Sequence, residues 1–177
     1  MKAILYDRYG PPDVLRVIEV NKPVPKHNEV LIRVHATTVT AAESMMRRGA
    51  TFFGRFIIGL RKPKSRFRML GMELAGEIES VGADVTRFQP GDQVYGFTGF
   101  GLGGYVEYTC MPAHGSLARK PTNLTYEEAV AIVDGATTAL FFLRDKGNIQ
   151  PGKKVLIYGA SGSIGTYAIQ LAKYFGA

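Results

Sequence analysis

Three glycines recur at three-residue spacing, Gly159, Gly162 and Gly165, in the run "KKVLIYGASGSIGTYAIQLAKYFGA". Before them stands a short apolar stretch, Val155, Leu156, Ile157 and Tyr158, suited to a strand buried on both faces. After them Ile164, Ala168, Leu171, Ala172 and Phe175 repeat at helical spacing. The order strand, glycine-rich turn, helix can bind the pyrophosphate of a dinucleotide. Gly162 lets the phosphates approach the backbone, and N–H groups at the helix start donate to them. Gly165 lets the helix lie close on the strand. Ser161 and Ser163 add hydroxyl donors. The candidate cofactor contacts are therefore Ala160, Ser161, Gly162, Ser163, Ile164 and Gly165. A plain strand-to-helix turn that binds nothing is the other reading of the same residues. The residue that reads the ribose is expected about 20 positions past the turn. Only 12 residues follow Gly165, so NAD and NADP are not distinguished. The chain is expected to end inside the nucleotide-binding domain.

Other chemistry is scarce. One cysteine, Cys110, excludes an internal disulfide and any multi-cysteine zinc site. His27, His35 and His114 share no ligand-like spacing. No apolar run is long enough to span a membrane, and the start "MKAILYDRYG" places an acid and a glycine too early for a signal peptide. These features fit a reducing cytoplasm. The net charge is +7, yet residues 47–68, "RRGATFFGRFIIGLRKPKSRFR", hold eight basic residues and no acid. Without those eight the chain carries −1, so basicity is a local feature and not the mark of a nucleic-acid-binding protein.

The elements that must position the turn change character along the chain. "KAILY", "VLRVIEV", "EVLIRVHATTV", "ELAGEIESVG", "DQVYGF" and "GGYVEYTC" are short strand-like runs separated by Gly and Pro. They suggest an antiparallel barrel or sandwich. From about residue 122 helices begin. Thr125 with Glu128 three residues on is a capping box, and a second helix runs through "ATTALFFLRDKG" to an end at Gly147. The expected organisation is a β-rich domain over 1–124, then linking helices and a first βα unit over 125–177.

This order resembles the medium-chain dehydrogenase/reductase superfamily, in its zinc-free, quinone-oxidoreductase-like branch. The resemblance is carried by "YGPPDVL", "NEVLIRVHATTVTAAE", "LGMELAGEIESVG", "FQPGDQVYGF", "TTALFFL" and "YGASGSIGTYAIQLAKYFGA". It implies a GroES-like barrel followed by the first α/β elements of a Rossmann fold. It also implies that the chain is the N-terminal portion of an NAD(P)H-dependent oxidoreductase. That parent would reduce a quinone, or an enone or carbonyl, by hydride transfer, with NADP or NAD as cofactor. Zinc-using members carry a cysteine and a histidine where this chain has Thr40 and Met72, neither a zinc ligand. Asp134 lies near a third ligand place, but one carboxylate does not hold zinc. No metal is expected. By position Thr40 and Glu43 resemble an asparagine and an aspartate of the cleft wall. Tyr95 is either a cleft hydrogen-bond donor or a packed barrel tyrosine. Thr138 resembles a threonine near the nicotinamide, with helix packing as its other reading. Glu73 and Asp92 are expected to fix turns. The chain alone is expected to be inactive, and a stand-alone binding barrel without redox activity is the alternative.

The stretch 47–68 also contains Phe52, Phe53, Phe56, Ile57, Ile58 and Phe67. It is read first as a loop shaping the substrate entrance. Contact with anionic lipid is a second reading and RNA binding a third, the last disfavoured by the slightly acidic remainder. Apolar residues Val155, Ile157, Ile169 and Phe175 are expected to be exposed and to drive homo-oligomer formation.

Overall fold

Strand β3 (Glu29–Thr37) is the spine of the N-terminal unit. The computed structural model describes residues 1–50 and 52–177; Thr51 and the side chains of Phe52 and Phe100 lie outside the described residues. β3 pairs antiparallel with β4 (Glu73–Val81) on one side and with β6 (Tyr108–Pro112) on the other. β5 (Gln93–Phe97) pairs with β4, and β7 (Leu117–Arg119) closes the order β6-β3-β4-β5-β7. Val30, Ile32, Leu74, Ile78, Val94 and Met111 are buried together against this sheet. The β-branched side chains of Val30, Ile32, Ile78 and Val94 suit a pleated surface that is covered. Each contributes about 1.5–3 kcal/mol by leaving water.

A hairpin of β1 (Lys2–Tyr6) and β2 (Leu15–Glu19) forms a second, two-stranded sheet. It is joined to the segments that lead into β6 and β4 by isolated bridges between Ala3 and Val106 and between Leu5 and Met69. Ile4 N–H donates to the Tyr105 carbonyl (2.9 Å) and Tyr6 N–H to that of Arg68 (3.0 Å). The antiparallel, barrel-like reading of this region holds. One boundary moves: of "GGYVEYTC" only the second half is strand, because Val106 pairs singly with the hairpin while Tyr108 onward pairs with β3.

Two helices interrupt the sheet, α1 (Ala41–Arg48) and α2 (Phe52–Ile58). Gly49 ends α1 in the left-handed region (φ 61°), its N–H reaching the Met45 and Met46 carbonyls. The chain divides into two compact units, Met1–Val130 and Ala131–Ala177.

Helix α3 (Tyr126–Ala131) opens with the expected box: Thr125 N–H donates to Glu128 Oε2 (2.8 Å) and Glu128 N–H to Thr125 Oγ1 (3.2 Å). In the second unit α4 (Val133–Leu140) runs on as a π turn over Phe141–Lys146. Gly147 ends it, N–H to the Phe142 carbonyl at 2.7 Å. Helix α5 (Ser163–Tyr174) follows the glycine turn. The strand expected at 155–158 does not form: among the described residues 153–157 pair with no neighbour. A central parallel strand is defined by ladders on both edges, and no other strand lies in this unit to supply them. The exposed apolar set differs too. Leu156 and Tyr158 are fully exposed and Tyr174 largely so, while Ile157, Ile169 and Phe175 are half-buried.

Candidate cofactor and substrate site

The glycine turn has the shape that the spacing requires. Gly159 sits at φ 77°, a region that disfavours any side chain. A Cβ on Gly165 would lie 2.7 Å from the Ala160 Cα and overlap the Gly159 carbonyl. The first turn of α5 therefore lies directly on the loop, which only glycine permits. Gly162 is the N-cap of α5 in extended conformation, and no side chain caps the helix. The leading N–H groups of a helix have no partner within it. Ser161, Gly162, Ser163 and Ile164 are exposed. An exposed helix start with uncapped donors and a closely approachable backbone fits a pyrophosphate.

Helix α4 meets α5 at the same place. A Cβ on Gly135 would lie 2.9 Å from the Tyr167 ring and would also overlap Ser163 Oγ. Thr138, one turn further along α4, is half-buried and donates its hydroxyl to Asp134 Oδ1 (3.1 Å). The structure thus gathers Thr138's helix and the turn 160–165 in one unit.

In the first unit Thr40 and Glu43 form one network. Thr40 is the N-cap of α1. Its N–H and hydroxyl donate to Glu43 Oε2 at 2.8 and 2.9 Å. Glu43 Oε1 accepts from the N–H groups of Gly71 (2.9 Å) and Met72 (2.8 Å), and Oε2 also from the Tyr105 hydroxyl (3.0 Å). Glu43 is 1% exposed. A buried carboxylate with five donors is satisfied as a charge. Burial, with the Glu43 charge beside it, pushes the Tyr105 hydroxyl far above the usual tyrosine range, so at neutral pH it is a donor. Gly71 is held at φ 101°, where a Cβ would lie 2.5 Å from the Tyr105 N–H nitrogen. Met72 packs against the cluster of Tyr6, Phe67 and Leu70. Glu43 and Tyr105 also border a cavity of about 500 Å³ whose wall is mostly apolar, with Ile4, Val17, Val34 and Val39.

Tyr95 is not in this network. It lies half-buried on β5 opposite Ala75 and packs against the cluster of Ala75, Ala129 and Val130. No hydrogen-bond partner of its hydroxyl is present among the described residues, which leaves a donor to spare. Glu73, at the start of β4, accepts from the Thr38 hydroxyl, while Asp92 accepts from Gln89 N–H and Arg119, both at 3.0 Å, and so fixes the turn at 89–92. Among the described residues no three His, Cys, Asp or Glu side chains gather as metal ligands. The partners of Glu43 were not read from the sequence. Thr40 and Glu43 carry the same T-x-x-E spacing as Thr125 and Glu128, so the capping half was there to be found. Tyr105, Gly71 and Met72 come from distant positions with no spacing rule.

An antiparallel barrel followed by a glycine turn and a helix is the domain order of one class of protein. Residues 26–122 match the alcohol dehydrogenase GroES-like domain, and the chain belongs to that family. Quinone oxidoreductase of Homo sapiens is 33% identical over 177 residues, 99% of this chain and 50% of that protein. The structure of the quinone oxidoreductase from Coxiella burnetii superposes with a TM-score of 0.86 at 32% identity, covering 99% of this chain and 54% of that one. That of the Escherichia coli quinone oxidoreductase complexed with NADPH gives 0.84 at 28% identity, covering 100% and 51%. The chain spans about half the length of the relatives that it matches. Among the described residues no helix is long and apolar enough to cross a membrane.

Proposed function

We propose that the chain is the N-terminal portion of a zinc-independent, NAD(P)H-dependent oxidoreductase that reduces a quinone, or an enone or carbonyl. The glycine turn carries this reading: Gly165 admits no side chain, and the helix start beyond it is exposed and uncapped. Its kinship with quinone oxidoreductases, one of them solved with NADPH, supports the cofactor class. The residues 160–165 would hold the pyrophosphate, with Thr138 toward the nicotinamide. When bound, the nicotinamide supplies the hydride. Thr40, Glu43 and Tyr95 would belong to the substrate wall. Glu43 is then a positioning residue, since both its oxygens are engaged in holding Thr40 and the turn at Gly71 and Met72. The Tyr95 hydroxyl, without a hydrogen-bond partner among the described residues, would donate to a substrate oxygen. Zinc independence is supported by what occupies the two ligand places. The Thr40 hydroxyl is spent on α1, and the Met72 thioether packs in an apolar cluster. A cytoplasmic setting suits the single free cysteine.

The chain by itself should not turn over. Reaction needs both reactants held in near contact, and 153–157 has no sheet around it. A stand-alone binding role is the competing reading, favoured by the compactness of Met1–Val130. The test is NAD(P)H oxidation with quinones and enones, comparing the 177-residue chain with a version extended through a complete nucleotide-binding sheet. Activity in the extended form alone is expected. Comparable turnover by the shorter chain contradicts the proposed inactivity, and none by either leaves the binding module as the better reading.

A further inference from the structure

Helix α2 is amphipathic the wrong way round. Phe53, Phe56 and Ile57 fall at i, i+3 and i+4, the spacing of one helical face, and Leu60 follows just past the helix end. On an ordinary surface helix that face would meet the core. Here these residues are exposed by 82, 59, 64 and 56%. The face turned inward is held by other means. Arg55 Nε donates to the Gly49 carbonyl (2.9 Å), its guanidinium lies over the Tyr9 ring, and Ile58 packs on the cluster of Tyr6 and Phe67. Lys64 N–H ties the following loop to the Ile58 carbonyl at 2.8 Å. The outward apolar face is thus anchored in place.

The charges divide in the same way. Of the eight basic residues in 47–68, Arg47 and Arg55 are spent on backbone carbonyls and Arg68 on Asp7. Arg48, Arg61, Lys62, Lys64 and Arg66 are exposed, and among the described residues none has an acidic partner. Four of the five follow directly on the apolar face. Exposed aromatic and aliphatic side chains flanked by cations without acidic partners, Arg66 lying over the Phe67 ring, match the boundary of an anionic bilayer, where the rings enter the headgroup layer and the cations meet phosphate and carboxylate.

We propose that the segment 53–66 is a docking surface for anionic lipid. A bilayer fits better than a protein partner. A stable protein interface needs about 800 Å² per side with close shape complementarity, and one seven-residue helix face offers far less. A bilayer demands no matching shape, and each cation near its surface adds about fivefold to its binding.

The test is co-sedimentation of the chain with vesicles of phosphatidylcholine, alone or mixed with phosphatidylserine. Binding to the mixed vesicles only, weakened by salt, is expected. Arg61→Glu with Lys62→Glu should weaken it at least about thirtyfold. Phe56→Gln with Ile57→Gln should remove it while leaving the charge unchanged. All four positions are exposed, so both variants should unfold at the wild-type temperature. The two act through different forces, so misfolding of one leaves the other decisive. No vesicle binding by the wild type overturns the proposal, as does equal binding to the neutral vesicles. A folded variant that binds like the wild type does so too. So does concentration-dependent self-association abolished by the glutamine variant without vesicle binding, which would make the occupant a second copy. Retention of RNA with no retention on vesicles assigns the surface to phosphate recognition of another kind and also overturns it.

Discussion

Replacing Glu43 with glutamine changes one oxygen for an amide nitrogen and leaves the shape intact. Oε1 keeps its two donors, Gly71 and Met72 N–H. At the Oε2 place the new amide group is itself a donor facing three others. The hydroxyls of Thr40 and Tyr105 can turn round and accept. Thr40 N–H cannot, and becomes a half-buried donor without an acceptor, at about 1–3 kcal/mol. The remaining bonds lose their charge assistance, about 1 kcal/mol more in total once the relieved cost of burying a carboxylate is set against it. The expected destabilisation is about 2–4 kcal/mol, a large part of the ~5–15 kcal/mol that holds a domain. At about 2–4 °C per kcal/mol it lowers the melting temperature by about 4–16 °C.

Urea unfolding with an unchanged m-value gives the number. Glu128→Gln is the internal control: the same substitution in the same motif, but solvent-exposed, should stay within about 0.5 kcal/mol. Tyr105→Phe should cost about 1–2 kcal/mol and couple to Glu43→Gln by about 1 kcal/mol in a double-mutant cycle. Amide exchange should accelerate at Gly71 and Met72 in the Glu43 variant. A Glu43→Gln change as mild as Glu128→Gln would refute the claim that this carboxylate pins α1 to the 71–72 turn.

Asp92 makes a pH-dependent contribution. Burial pushes its carboxyl up, but Gln89 N–H and the Arg119 guanidinium together hold it below the usual range. A folded pKa below the unfolded one gives stability that is present at neutral pH and lost as pH falls through the folded value. Asp92→Asn should therefore cost up to about 1 kcal/mol at pH 7 and progressively less in acid; a pH-independent difference in urea midpoint would contradict this. Elemental analysis of the purified protein should find no stoichiometric zinc, and about one zinc per chain would overturn the reading of Thr40 and Met72. The apolar exposure of Val155, Leu156, Tyr158, Ile164 and Tyr174 should make the chain self-associate in sedimentation, while a version cut at Thr122 stays monomeric. If both sediment as monomers and 150–177 resists proteolysis, that surface covers itself.

What could be read from the sequence follows the distance over which each feature is decided. The box at Thr125 and Glu128 and the stop at Gly147 are settled within one helical turn, and both are as expected. The glycine turn is nearly as local, since Gly165 answers to Ala160 and Gly159 just upstream. The failure of the strand expected at 155–158 is of the opposite kind. Its composition is that of a buried strand, but a strand exists only through neighbours, and composition cannot provide them.

Glu43 combines the two. Its bond to Thr40 obeys a four-residue rule, while its bonds to Gly71, Met72 and Tyr105 depend on how the hairpin and the 5-stranded sheet come together. Helix α2 shows why periodicity alone leaves orientation undecided. Phe53, Phe56 and Ile57 give the same spacing whether they face inward or outward. Arg55 and Ile58 decide it, because a guanidinium with a carbonyl and a ring to satisfy occupies the place that the apolar face would have taken. An apolar stripe in a chain this basic is therefore as much a statement about what lies outside the fold as about its core.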